Sequence, residues 1–176
     1  MADGQPVVIV SYDPEWPRRF EAEQAALEQV LAPWLEGGVH HVGSTSIPGL
    51  AAKPVLDMIA GVRQLETARA AFAPLAELGY VYAPHRPRTH HFVKPAEPWS
   101  AHTHHLHLTE PGSDLWVERL AFRDALRADP VLAAEYESLK LDLARGAAAG
   151  YTIAKRPFVT RVLAAAGIEI PAASPR

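Results

Sequence analysis

The chain has 176 residues, 48% of them hydrophobic and 21% charged, with a formal net charge of -3. That length suits one domain with a sizeable buried core, and the acidic balance argues against a non-specific nucleic-acid binder, which carries a basic face. Cysteine is absent, which excludes disulfides, thiolate zinc sites and thiol nucleophiles.

No apolar run approaches the ~20 residues of a membrane span. Met1-Ala2-Asp3-Gly4 carries no basic region and no signal-type apolar core, so a cytoplasmic protein without membrane contact is expected.

In chain order, Val7-Val8-Ile9-Val10 is a β-branched run, read as a first strand or an extended arm. Asp13-Pro14 reads as an N-cap with proline at the first helical position, opening a helix to about residue 35 that Gly37-Gly38 ends. Residues 39–42 form a strand that leads into a Gly43-Ser44 turn, and residues 46–52 a short helix kinked at Pro48. The near-continuous apolar run 55–62 predicts a strand buried on both faces. A helix over 64–78 buries Leu65, Ala68, Phe72 and Leu75 and stops at Gly79. Strands follow at 80–82, near 91–93 inside a proline-bracketed stretch, and at 104–109, where polar and apolar residues alternate. Ser113 caps a helix to 127, Pro130 opens another to 145, and 151–166 is the last. The fold class is α+β: a mixed sheet flanked by helices with a helical C-terminal part, one domain over 1–170 and a frayed tail at 171–176.

The chemistry concentrates in His41-Val42-Gly43-Ser44-Thr45-Ser46 and in Asp57, which follows Ser44 after twelve intervening residues. A carboxylate in an apolar strand is costly unless something pairs with it. A glycine-hydroxyl turn that offers backbone N–H groups beside a carboxylate able to hold a divalent cation is the minimal layout for a nucleoside triphosphate. Gly43, Ser44, Thr45 and Ser46 are therefore candidate phosphate ligands, with Lys53 as an added charge. The plainer alternatives are a tight strand-to-helix turn and an aspartate paired with a core cation.

Asp13-Pro14-Glu15-Trp16-Pro17, the block 41–57, His104-His105-Leu106-His107, Phe122-Arg123-Asp124, Leu139-Lys140 and Tyr151-Thr152-x-Ala154-Lys155 together resemble the GrpB family over residues 12–163. That family is similar to the nucleotidyltransferase superfamily with its DNA polymerase β-like core, and related domains occur fused to dephospho-coenzyme A kinase. The resemblance implies nucleotide binding at the Gly43–Ser46 turn, metal-assisted nucleotidyl transfer, and the pattern Gly-Ser, gap, acid–apolar–acid. The last part fails here, because Ile59 stands where the second carboxylate belongs. Two-metal phosphoryl transfer wants two or three carboxylates to hold its cations.

Seven of the nine histidines lie within residues 85–107, which directs attention to a substitute ligand. His105 and His107 are two apart and share a strand face, while His104 points to the other. If 104–109 lies beside the Asp57 strand, as the superfamily's third-acid strand does, then Asp57, His105 and His107 are the candidate catalytic and metal-ligating set. Two histidines and one carboxylate suit zinc, manganese or iron more than magnesium. The expected cofactor is a divalent metal: magnesium as the resemblance implies, or manganese or zinc as the histidines suit. The bland reading has these histidines bonding phosphates or backbone.

Arg86, Arg88 and Lys94 make a local basic patch, and Arg88, His91 and Lys94 are candidates for a polyanion. Arg119 and Arg123 are like charges at i,i+4 near Glu118 and need a partner, so Arg123 is a candidate phosphate ligand. Tyr151 and Lys155 are read as a functional pair or as Tyr151 packing on Phe158, and Trp16, Trp34, Trp99 and Trp116 as core or lid. No P-loop, dinucleotide fingerprint, nucleophile elbow or zincin helix occurs. Three readings stay open: a nucleotidyltransferase-like enzyme, a non-catalytic nucleotide- or coenzyme-binding module, and a histidine-dependent metal hydrolase. The expected partner is a nucleotide or small phosphorylated molecule.

Overall fold

A five-stranded mixed sheet in the order β1-β2-β5-β4-β3 organises the molecule. The computed structural model describes residues 7–95, 102–145 and 150–169. β1 (Leu35–Val42) runs antiparallel to β2 (Leu56–Val62), and β2 runs parallel to β5 (His104–Thr109). β4 (His90–Lys94) is antiparallel to both β5 and the two-residue β3 (Val81–Tyr82). β2 and β5 are therefore interior strands, which is why their apolar runs are buried almost throughout.

Strand alternation assigns each face. Val39, Met58, Ala60, Phe92, Leu106 and Leu108 face α1 (Trp16–Leu31) and α2 (Phe72–Glu77), meeting Leu27, Leu31 and Leu75 in the main core. Each such fully buried aliphatic side chain is worth ~1.5–3 kcal/mol. The opposite face carries Val42 and Ile59 against Leu115 of α3 (Asp114–Ala128). A separate cluster of Ile47, Leu50, Leu126, Tyr136, Phe158 and Val162 binds α4 (Pro130–Arg145) and α6 (Arg156–Ala165) to α3 and to the segment after β1.

Four predicted elements are corrected, three of them by proline. α1 ends at Leu31 because Pro33 has no N–H to extend it, and Gly37 and Gly38 (φ 81° and 84°) instead absorb a register shift inside β1. The helix expected at 64–78 is a 3-10 turn over Thr67–Ala71 followed by α2, since Pro74 cannot bond back to residue 70. Only Ser44–Ser46 of the segment before β2 coils, again as a 3-10 turn. The last helix is split into α5 (Tyr151–Ala154) and α6, with Pro157 in the first turn of α6.

Val10 makes one backbone bridge to Ala52, so the N-terminal run is an extended arm. Trp16 is fully buried, Trp34 and Trp116 are partly buried against core clusters, and Trp99 and the tail 171–176 lie outside the described residues. Among the described residues no helix is long and apolar enough to cross a membrane.

Candidate functional site

The parallel pairing of β2 with β5 places Asp57 opposite His105 and Ile59 opposite His107, and β4 brings His91 opposite His107. All five share the face that α3 covers. His105 Nδ1 lies 3.1 Å from Asp57 Oδ1. His91 Nδ1 donates to the Ala83 carbonyl at 2.9 Å, which puts its hydrogen on that nitrogen. Burial pushes the His91 pKa down to about 4. His107 is 6% exposed, with its ring 4.6 Å from that of His91. Burial, then the charges of Arg119 and the neighbouring histidines, hold its pKa well below the usual value. The His91 and His107 rings form a neutral wall.

The expected metal set of Asp57, His105 and His107 is not assembled. Among the described residues no group of three His, Asp or Glu side chains is placed to hold one ion. His105 spends Nδ1 on Asp57, and His107 stands two strand positions on, about 7 Å away, against His91.

The turn after β1 is shaped around Asp57. Gly43 has φ 70°, and a Cβ there would lie 2.5 Å from Asp57 Oδ2 and 2.8 Å from Asp57 Cβ, so only glycine fits. Ser44 is half-buried, lines the cleft and hydrogen-bonds Tyr136. Thr45 and Ser46 are corrected as phosphate ligands, because their hydroxyls are spent inside the turn. Thr45 Oγ1 donates to the Val55 carbonyl (2.9 Å) and receives His41 Nε2–H (2.9 Å), while Ser46 Oγ donates to the Gly43 carbonyl (2.6 Å). Burial lowers the His41 pKa to about 4, partly offset by Asp57.

A cleft of ≈ 160 Å³ opens between this turn and the helical part. Gly43, Ser44 and Asp57 form one wall, and Glu118, Arg119, Tyr136, Lys155 and Arg156 contribute to the other. Glu118 is 5% exposed and accepts from Arg156 Nη1 at 2.7 Å. The buried Arg119 Nε has no hydrogen-bond partner among the described residues. Lys155 stands 4.3 Å over the Tyr151 ring, and burial pulls its pKa down to about 8 against the opposing effect of Asp57. Burial pushes the Asp57 carboxyl upward, but the His105 hydrogen bond and charge, with Arg119 and Lys155, more than offset this and leave it below its ordinary value.

The other predicted phosphate ligands scatter. Lys53 is exposed, within electrostatic reach of Lys155. Arg88 is an exposed loop residue with φ 56° and does not line the cleft, whereas Arg86 reaches the field of Glu118, Arg119 and Arg156. Arg123 lies behind the turn, donating to the His41 carbonyl (3.2 Å) and to Asp124, while Arg127 clamps the Ser46 carbonyl through Nε and Nη2 at 3.0 and 2.8 Å.

Lys94 faces the other side of the sheet and donates to both Glu23 oxygens (3.0 and 3.3 Å), beside the Tyr80 hydroxyl, which donates to Glu23 at 2.7 Å. Lys94→Met is expected to cost about 1–2 kcal/mol in urea unfolding and to leave ligand affinity unchanged. A loss of affinity in that variant would return Lys94 to the site.

Sequence reasoning missed the convergence of Arg119, Lys155 and Arg156, which no local periodicity encodes. The like-charged Arg119–Arg123 pair and the Tyr151–Lys155 spacing were the available signals. Tyr151 supports Lys155, while Phe158 packs against Tyr136 and Phe122.

A family model described as GrpB protein matches residues 6–165. The chain belongs to the GrpB family. It is 34% identical over 167 residues to the glutamate-rich protein GrpB of Alkalihalophilus pseudofirmus, covering 89% of this chain and 94% of that one. It is 36% identical over 140 residues to the UPF0157 protein YqkA of Bacillus subtilis, covering 78% of this chain but only 40% of YqkA. The crystal structure of GrpB from Enterococcus faecalis matches with TM-score 0.80 at 30% identity, over 90% of this chain and 96% of that chain.

A structure of the Cid1 poly(U) polymerase with Mg 3'-dATP bound matches with TM-score 0.52 at 16% identity, over 77% of this chain and 42% of that chain. This likeness establishes a nucleotidyltransferase-like fold. The residues of this GrpB-family chain do not fit a two-metal centre of that superfamily. β2 offers Asp57 and then Ile59 on the cleft face, β5 offers histidines, and the remaining cleft carboxylate, Glu118, is held by Arg156.

Proposed function

We propose that the cleft binds the phosphate groups of a nucleotide or another small phosphorylated molecule. The observation that carries this reading is the convergence of Arg119, Lys155 and Arg156 on the Gly43-Ser44 turn, around one cleft on a nucleotidyltransferase-like fold. Backbone N–H groups at a glycine turn and cationic side chains are what a polyphosphate needs. The Gly43–Asp57 contact keeps the turn open. Arg123 and Arg127, reaching across from α3, hold the carbonyls at its two ends.

A panel of nucleoside triphosphates and coenzyme A, with and without divalent metals, tests the reading by thermal unfolding. A ligand at about 100 times its Kd adds about 2.7 kcal/mol, which for a chain of this size is a rise of about 5–10 °C. No rise with any ligand under any metal condition would sink the proposal.

Nucleotidyl transfer is a second reading, supported by the hydrogen-bonded Asp57–His105 pair beside the turn. In it an acceptor hydroxyl attacks the α-phosphorus, the Asp57–His105 pair takes the hydroxyl proton, Arg119 and Lys155 balance the developing charge, and pyrophosphate leaves. Pyrophosphate release that requires an added acceptor would separate this reading from simple binding.

A further inference from the structure

Superfamily architecture leads one to expect carboxylates holding metal ions at this place in the fold, but the charge pattern on the cleft runs the other way. Among the described residues, Asp57 is the cleft carboxylate that makes no direct arginine ion pair. Ile59 fills the next position on its face, and Glu118 is bound by Arg156 at 2.7 Å. Facing Asp57 are Arg119, whose Nε is buried and lacks a hydrogen-bond partner among the described residues, and Lys155, backed by the Tyr151 ring at 4.3 Å. Arg86 adds a further guanidinium within the same field.

We infer that this site binds a polyphosphate without a divalent metal, with Arg119 and Lys155 supplying the positive charge and Asp57 acting as the ligand's competitor. This rests on the reading of the cleft as a phosphate site and specifies its chemistry. In the free protein the Asp57 carboxylate balances the two cations. An incoming phosphate takes its place against them, and Asp57 stays held by His105 on the sheet.

A metal-bridged site and a cation site give opposite signs at Asp57. Removing the carboxylate from a metal-bridged site removes the metal's anchor and destroys binding. Removing it from a cation site relieves repulsion of the phosphate and frees Arg119 and Lys155. Lys155 also lies ninety-eight residues beyond Asp57 in sequence, so the pairing depends on the helical part being docked on the sheet.

The test is calorimetric titration of the full chain with inorganic tripolyphosphate, in EDTA and in excess magnesium. Wild type is expected to bind in EDTA. Asp57→Asn is expected to bind several-fold more tightly there, Lys155→Met at least tenfold more weakly, and Lys155→Arg close to wild type. Arg119→Met is expected to follow Lys155→Met, and circular dichroism of each variant separates lost binding from lost fold.

Binding that requires magnesium and disappears in Asp57→Asn overturns the inference while leaving the phosphate reading intact. Binding in EDTA that weakens in Asp57→Asn overturns the competitor role. No binding of tripolyphosphate by wild type in either buffer overturns both this inference and the phosphate reading.

Discussion

Gly43→Ala is expected to abolish phosphate binding and to lower stability by about 2–4 kcal/mol, a fall in Tm of roughly 5–15 °C. Two effects add. The left-handed φ of 70° costs an L-residue ~1–2 kcal/mol, and the new Cβ would sit 2.5 Å from Asp57 Oδ2. The carboxylate must then move off its His105 hydrogen bond or push the turn into the cleft. Gly49→Ala is the internal control. Its φ is 79°, but a Cβ there has no heavy atom within 4 Å, so it pays only the backbone cost of about 1 kcal/mol. Combining Gly43→Ala with Asp57→Ala should restore part of the lost stability, a coupling between touching residues. Equal losses for Gly43→Ala and Gly49→Ala in urea unfolding, with binding retained, would remove Asp57 from the argument.

The second large effect is acid sensitivity. His41 and His91, both 6% exposed, have pKa values lowered by burial from 6.5 to about 4. The native state therefore binds fewer protons than the unfolded chain between those values, and stability rises with pH across that window. Each histidine's contribution is fully present above pH 6.5 and is lost as pH falls toward about 4, at up to ~3 kcal/mol each. His107, displaced in the same direction, adds to the loss. His41 is flanked by Asp57, Arg123 and Arg127, and His91 by His85, His105 and Asp57, so the fall spreads over coupled groups rather than following a single titration.

Urea unfolding between neutral pH and about pH 4.5 reads this directly. His41→Gln keeps a donor for Thr45 Oγ1 and should flatten the profile by about a third, since His91 and His107 remain. A wild-type stability that is level across the range would refute the assignment of these rings as buried neutral groups.

The strand skeleton is legible in the sequence because it rests on apolar runs and period-two alternation. The neighbourhood of Asp57 and His105 follows instead from the family resemblance, since alternation within a strand does not name its partner. The same parity places Lys94 with Phe92's side of β4 and away from His91, so its removal from the cleft was available by counting along the strand. Thr45 and Ser46 were misread because a hydroxyl's partner depends on a backbone path. A 3-10 turn closes both back onto carbonyls at Val55 and Gly43, and composition alone does not distinguish that from an open phosphate cradle. Arg119, Lys155 and Arg156 were out of reach for a different reason. They meet Asp57 only through the docking of three helices, an arrangement set by Tyr136, Phe158, Val162 and Leu126 in the satellite cluster.

That satellite cluster has a thermodynamic consequence. Lys155 and Arg156 ride on α6 and its approach and Arg119 on α3, helices joined by their own small group of apolar side chains, while Asp57 and His105 ride on β2 and β5, whose other face anchors the main core. The two halves of the site thus belong to units able to open separately, each with its own local unfolding free energy. Amides of α6 should exchange with deuterium well before those of β2 and β5. A bound polyphosphate, touching both units at once, should slow exchange in α6 far more than in the sheet. The ligand would then act as a fastener between two cooperative blocks, and its affinity would already include the work of closing them.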